Sequence, residues 1–164
     1  MALIVEDGTG LPDAQSYISV TDADVYHAAR GNSVWVDADQ DSKEASLILA
    51  TEYLDGKYGK RWLGTRLTSS QALDWPRTNI FDELNRSITG VPEKIANATA
   101  VAALKVIQGE ELNPDLERGG KVRSESVGPI STEYEEGAPG MTYYSAVHRL
   151  ISRYIRPAGL KVVV

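Results

Sequence analysis

The sequence predicts a mainly α-helical fold, a small bundle of about four helices with one β-hairpin and extended N- and C-terminal arms. Apolar residues recur at helical spacing in separate stretches of the 164-residue chain. Between residues 121 and 135 the apolar period changes to two, which is typical of a hairpin. Glycine and proline interrupt short apolar runs near both ends of the chain, and this pattern predicts arms.

The first 20 residues are predicted to form the N-terminal arm, because Gly8 and Pro12 break any helical pattern there. The first helix is predicted to begin at Thr21, whose hydroxyl group could cap it. Gly31 is predicted to end this helix, since glycine tolerates a left-handed backbone.

The second helix, predicted over residues 42–58, is apolar on most of its faces and is therefore expected to be central. Asp41 is predicted as its N-cap, with Glu44 completing a capping box. The aspartates just before the helix resemble a calcium-binding loop. Ser42 and Ile48, however, occupy positions where such a loop needs Gly and Glu, so capping is the better interpretation.

Three further helices are predicted from caps and breakers. A short helix, QALDW, would follow the serine pair Ser69–Ser70. The next helix would have Pro92 at its first position and would end at Gly109. The last helix would begin near Tyr144 and stop before Pro157, because proline cannot continue it.

These elements divide the chain into an arm at 1–20, a helical domain at 21–156 and a C-terminal tail at 157–164. The tail is apolar and prone to form strands, so in an isolated monomer it would be an aggregation hazard. We therefore expect it to dock on another protein. Its candidate docking residues are Leu160, Lys161, Val162, Val163 and Val164.

The segment 57–77 carries the clearest signal for ligand binding, because aromatic residues alternate there with cations that oppose a single acid, Asp74. Aromatic platforms beside cations hold single-stranded nucleic acid without sequence preference. The alternative is a structural clamp, with the tryptophans buried against the central helix; the acidic remainder of the chain favours it. The residues of this clamp or patch are Tyr58, Trp62, Trp75, Arg61 and Arg77.

Composition and motifs indicate no enzyme, no cofactor and no metal site. The chain has no cysteine, and His27 and His148 lie on different predicted helices without a third candidate ligand. It contains neither a P-loop nor a G-x-S-x-G motif. The net charge of −6 is the wrong sign for wrapping nucleic acid but suits a surface that DNA passes. No signal peptide or membrane span is visible, so we expect a cytosolic protein or one assembled from the cytosol.

Several motifs carry a family resemblance over nearly the whole chain: GTGLPDAQSYISV, ARGNSVW, ATEYLDGKYGKRW, QALDWPR, the helix starting VPEKI, and VGPISTEY. They resemble a phage protein family known as DnaT-like and single-stranded-DNA-binding. The chain is also similar to the head–tail connector (adaptor) proteins of tailed phages, which are small helical bundles with a hairpin.

The connector resemblance implies a structural virion protein at the head–tail interface, assembled in the host cytoplasm. Such a protein forms a homo-oligomeric ring of about twelve subunits under the portal protein. A downstream stopper or tail-completion protein would follow it, and DNA would pass through the lumen without specific binding. The C-terminal tail would then dock on the portal. The predicted hairpin would contact neighbouring subunits or face the phage tail. Its candidate contact residues are Val122, Ile130 and Tyr134.

The connector is the main prediction, because an acidic surface suits a DNA conduit, and the hairpin and apolar tail suit a chain that is completed by its neighbours. The alternative, which the DnaT-like resemblance implies, is a replication accessory protein that binds single-stranded DNA. In that case the segment 57–77 would contact the DNA. The salt dependence of DNA binding discriminates the two functions, because a true DNA-binding protein loses affinity steeply as salt rises.

Overall fold

A computed structural model of the chain describes residues 2–114, 124–127, 130–133 and 144–157. The helices in these ranges are α1 (Val20–Ala28), α2 (Ser33–Val36), α3 (Gln40–Tyr58), α4 (Glu93–Ile107) and α5 (Ser145–Ile151). The strands are β1 (Thr65–Arg66), β2 (Arg77–Thr78), β3 (Ser124–Val127) and β4 (Ile130–Glu133). Short 3-10 helices follow α3 at Gly59–Arg61 and α5 at Ser152–Tyr154. The prediction of a mainly helical fold with one hairpin is confirmed. No helix in the described ranges is long and apolar enough to cross a membrane.

Helices α3 and α4 form the centre of the bundle, and α5 packs against α4. Leu47 and Leu54 of α3 are fully buried. On α4, Ala98 and Ala102 are fully buried as well, and such small side chains let the neighbouring helices approach closely. Alanine also has the highest helix propensity, so the same residues favour both the helix and its packing.

Helix α3 begins two residues earlier than predicted. Its N-cap is Asp39, whose carboxylate accepts a hydrogen bond from the backbone N–H of Ser42 at 2.9 Å. The prediction of Asp41 as N-cap is therefore wrong. Asp39 has an extended backbone and reaches the free N–H groups, while Asp41 lies in the first helical turn.

The N-cap of α1 also lies two residues before the predicted one. Ser19 is its N-cap and accepts a hydrogen bond from the N–H of Asp22 at 3.0 Å, so the predicted cap Thr21 is wrong. Thr21 already lies inside the helix, because Val20 is the first helical residue. At α4 the difference is a single residue, with Pro92 as N-cap rather than first helical position.

The short helix predicted near residues 71–75 does not form; this segment consists of bends and irregular backbone. The buried side chain of Gln71 supplies the reason. Its amide oxygen accepts from the N–H of Thr68 at 2.8 Å, and its amide nitrogen donates to the carbonyls of Leu73 at 2.8 Å and Pro76 at 3.0 Å. These bonds satisfy backbone groups that a helix would otherwise pair.

Strands β3 and β4 form the antiparallel hairpin, with Val127 opposite Ile130. The predicted hairpin is thus confirmed at the level of strand pairing. Ile130 is the first residue of β4. Val122, Tyr134 and the tail residues 160–164 lie outside the described residues.

The N-terminal segment is built around a buried carboxylate, a feature that sequence analysis missed. Glu6 accepts hydrogen bonds from the backbone N–H groups of Gly8 at 2.9 Å, Gly10 at 2.8 Å and Leu11 at 2.9 Å. Both glycines have positive φ, which turns their N–H groups towards the carboxylate. The segment continues into the core, where Tyr17 is buried.

Candidate nucleic-acid interface

The three aromatic residues of the segment 57–77 lie in the core. Tyr58, Trp62 and Trp75 are 1%, 2% and 0% exposed. The rings of Trp62 and Trp75 meet edge to face at 5.9 Å, and Trp75 meets Tyr154 in the same way at 5.7 Å. No face of these three rings is open to a nucleobase in this structure.

A chain of hydrogen bonds holds Trp75 in place. The N–H of Trp75 donates to the Tyr17 hydroxyl at 3.2 Å, and that hydroxyl donates to the Asp55 carboxylate at 2.6 Å. The N–H of Asp74 donates to the second carboxylate oxygen of Asp55 at 3.0 Å. Burial raises the pKa of Asp55 to about 7. The peptide bond between Trp75 and Pro76 is cis.

Arg77 also has a role inside the fold. Its half-buried guanidinium donates to the carbonyls of Leu63 at 2.7 Å, Gly64 at 2.9 Å and Asp74 at 3.1 Å. Burial lowers the pKa of Arg77. Arg66 likewise donates to the Gln71 carbonyl. Part of the positive charge predicted to face DNA is therefore engaged with backbone carbonyls.

Arg61 brings together two basic segments that lie far apart in the sequence. Its guanidinium donates twice to the carbonyl of Arg156, at 3.1 and 2.9 Å, across 95 residues of chain. The backbone N–H of Arg156 donates a hydrogen bond to the Arg61 carbonyl at 2.8 Å. Trp62 and Ile155 pair next to them as an isolated antiparallel bridge.

This contact joins the C-terminal end of α3 and the 3-10 helix after it to the C-terminal end of α5, and we call the cations of these two segments the basic junction. It consists of Lys57, Lys60, Arg61, Arg149, Arg153 and Arg156. Lys60, Arg149, Arg153 and Arg156 are exposed. Glu83 borders this surface, 3.4 Å from Arg153 in an exposed ion pair.

His148 lies at the inner edge of the basic junction, with its ring 6.1 Å from that of Tyr58. Burial lowers the pKa of His148, and the positive charges of Arg61 and Lys57 lower it further. A neutral imidazole is therefore favoured at pH 7, since the ordinary value for histidine is about 6.5. The positive charge of the junction thus comes from its lysines and arginines.

Of the two basic segments, only the segment 57–77 is indicated by the sequence as a candidate binding segment. The arginines at 149, 153 and 156 recur at helical spacing, and this pattern indicates a shared face. Cations near the C-terminal end of a helix also suit the helix dipole, so the spacing alone does not indicate a binding surface. Nothing in the sequence indicates that this face meets Arg61.

A family model described as "Putative DnaT-like ssDNA binding protein" matches residues 1–164. The chain belongs to this DnaT-like family. No curated protein and no solved structure matches the chain.

The histidines and acids of the described residues show no arrangement for binding a metal ion. Among them, no group of three or more His, Asp or Glu residues could hold a metal ion. His27 is fully buried between the Ala100 carbonyl at 3.1 Å and the Asn32 side-chain amide at 2.9 Å. Burial lowers the pKa of His27, as expected for a neutral structural histidine. The exposed cations of the basic junction are suited to bind phosphate groups.

Proposed function

We propose that this DnaT-like protein binds single-stranded DNA through its phosphate backbone, at the basic junction. The observation that carries the proposal is the contact between Arg61 and Arg156, which joins two basic segments on a chain of net charge −6. The description of the family supports the same function. Because Trp62 and Trp75 are buried, the junction would contact phosphates rather than stack bases on these rings.

Phosphate binding of this kind has a distinct salt signature. Each phosphate that a protein neutralises on a single strand contributes about −0.7 to the slope of log affinity against log salt. With three or four exposed cations in contact, we expect a slope of roughly −2 to −3.

Reversing one charge of the basic junction tests the proposal. We expect Arg149→Glu to weaken binding to a labelled oligothymidylate of about 20 nucleotides by roughly tenfold at low salt. The slope of log affinity against log salt should become less steep by about 0.7, the contribution of one phosphate contact. Fluorescence anisotropy between about 50 and 200 mM salt measures both quantities.

Arg30→Glu is the matched control, because it makes the same change of charge on another exposed arginine. Arg30 follows α1 and lies over the ring of Tyr26, outside the basic junction. We expect its binding to stay close to that of the unmodified protein. Equal losses in both variants would mean that net charge alone matters, and the absence of binding at low salt would refute the proposal.

A second candidate function is that of a head–tail connector, a homo-oligomeric ring under the phage portal that contacts a downstream stopper or tail-completion protein. The observation that favours it is an open groove of about 670 Å³ between α3 and the end of α4. Apolar residues on its walls include Leu49, Tyr53, Val106 and Leu112. A groove of this type suits a chain that is completed by neighbours in an assembly. Neither candidate function involves catalysis or a cofactor, and the connector would be located in the virion.

Truncation after Arg156 tests the connector. If the C-terminal tail docks on the portal, the truncated protein keeps its thermal midpoint but fails to bind portal-containing heads, which then leak DNA. If the truncated protein still binds these heads and prevents the leak of DNA, the connector function is contradicted.

A further inference from the structure

A tight loop between Ile80 and Ile88 presents large apolar side chains next to the basic junction. Phe81 is 56% exposed and Leu84 is 73% exposed. Phe81 is the sole phenylalanine of the sequence, and it contrasts with the buried tryptophans. An aromatic ring that is half open to solvent is a potential contact for a ligand with a flat, apolar face.

The loop is ordered by its own hydrogen bonds. Phe81 and Ser87 pair as an antiparallel bridge. The Asp82 carboxylate accepts from the N–H groups of Leu84 and Arg86, both at 2.9 Å, and from the Arg86 guanidinium at 2.7 Å. The position of Phe81 is thus set before any ligand arrives, which lowers the entropy lost on binding.

The base of the loop is anchored in the core. Ile80 is buried, and its carbonyl accepts from the N–H of Ile88 at 2.9 Å. Gly64 lies so close that a Cβ atom there would be 2.6 Å from the Ile80 side chain. The exposure of Phe81 is therefore a property of an anchored loop and not of a frayed segment.

The loop carries two acids, Asp82 and Glu83, and one cation, and a second cation reaches it from the basic junction. Arg86 is a largely exposed cation of the loop itself, and Arg153 of the basic junction reaches Glu83 at 3.4 Å. The ion pair between Arg153 and Glu83 is solvent-exposed, and pairs of this kind contribute little to stability. A phosphate group could therefore displace Glu83 at low cost.

We propose that Phe81 stacks on an unpaired nucleobase of the bound strand, with neighbouring phosphates at Arg153 and Arg86. The inference rests on the proposed function and deepens it, because it adds base stacking to backbone contact. Stacking on an aromatic ring tolerates every base and is how single strands are held without sequence preference.

Two oligonucleotides of equal length separate stacking from charge, namely oligothymidylate and an abasic strand with the same number of phosphates. We expect Phe81→Ala to lose about fivefold or more in affinity for oligothymidylate and to bind the abasic strand like the unmodified protein. Phe81→Tyr should retain affinity, because it keeps the ring. Leu84→Ala is the matched control, since it removes an exposed apolar side chain of the same loop that has no aromatic face.

The outcomes distinguish this inference from the function on which it rests. Unchanged oligothymidylate affinity in Phe81→Ala, or an equal loss on both strands, would overturn stacking while leaving backbone binding intact. If the unmodified protein binds neither strand, the proposed function fails. Loss of self-association in Phe81→Ala with unchanged DNA affinity would identify the loop as a protein contact and would also overturn stacking.

Discussion

The Trp75→Ala variant is expected to lose about 3–5 kcal/mol of its free energy of unfolding, the usual cost of truncating a large buried aromatic side chain. Trp75 is fully buried and meets the rings of Trp62 and Tyr154 edge to face. Alanine would leave a cavity between the rings of Trp62 and Tyr154, because the packed surroundings of a buried side chain relax only partly. For a domain of this size the loss corresponds to a Tm roughly 10 °C lower.

Urea denaturation followed by circular dichroism measures this loss. Leu84→Ala is the control, because truncating an exposed side chain should change stability by no more than about 0.5 kcal/mol. If Trp75→Ala kept its stability but lost DNA affinity, Trp75 would be a binding residue and the structural role argued for it would be wrong.

Asp55 is expected to make the protein less stable as pH rises from about 4 to about 7. Burial raises its pKa to about 7, and the charge of Asp74 adds to this. The hydrogen bond from Tyr17 and the charge of Arg66 act in the opposite direction. In the unfolded chain an aspartate titrates near 3.9.

The sign of the effect follows from where the proton is held. Between pH 4 and pH 7 the folded protein keeps a proton on Asp55 that the unfolded chain has already released. Raising the pH therefore favours unfolding across this window, and the loss levels off above about pH 7. A difference of about three pKa units limits the effect to roughly 4 kcal/mol.

Comparing the unmodified protein with Asp55→Asn isolates this contribution from the other titrating groups. Asparagine has a similar shape and no proton to release, although its amide cannot accept from both Tyr17 and the N–H of Asp74. As the pH rises from 5 to 8, the unmodified protein should lose free energy of unfolding through Asp55 and the variant should not. The difference in stability should therefore shift in favour of the variant. Parallel pH profiles of the two proteins would refute a raised pKa of Asp55.

Apolar patterns and capping residues predicted which helices form but not the exact residues at which they begin. The apolar residues mark α3 as a central helix because they lie on most of its faces, and they mark α4 by their helical spacing. The caps were displaced by two residues, since Asp39 and Asp41 are both suitable N-caps and only the backbone conformation chooses between them. The predicted QALDW helix failed because the buried Gln71 side chain bonds backbone groups of Thr68 and Pro76, and the residue types alone do not indicate these bonds.

The sequence by itself determined the helical class, the hairpin and the family, because periodicity, turn residues and motifs are local properties of the chain. Only the tertiary structure decided which cations share a surface. The contact between Arg61 and Arg156 spans 95 residues, and no periodic pattern specifies a pairing over that distance. Tertiary packing also decided that Trp62 and Trp75 are buried while Phe81 is exposed, since burial depends on what surrounds a side chain and not on its type.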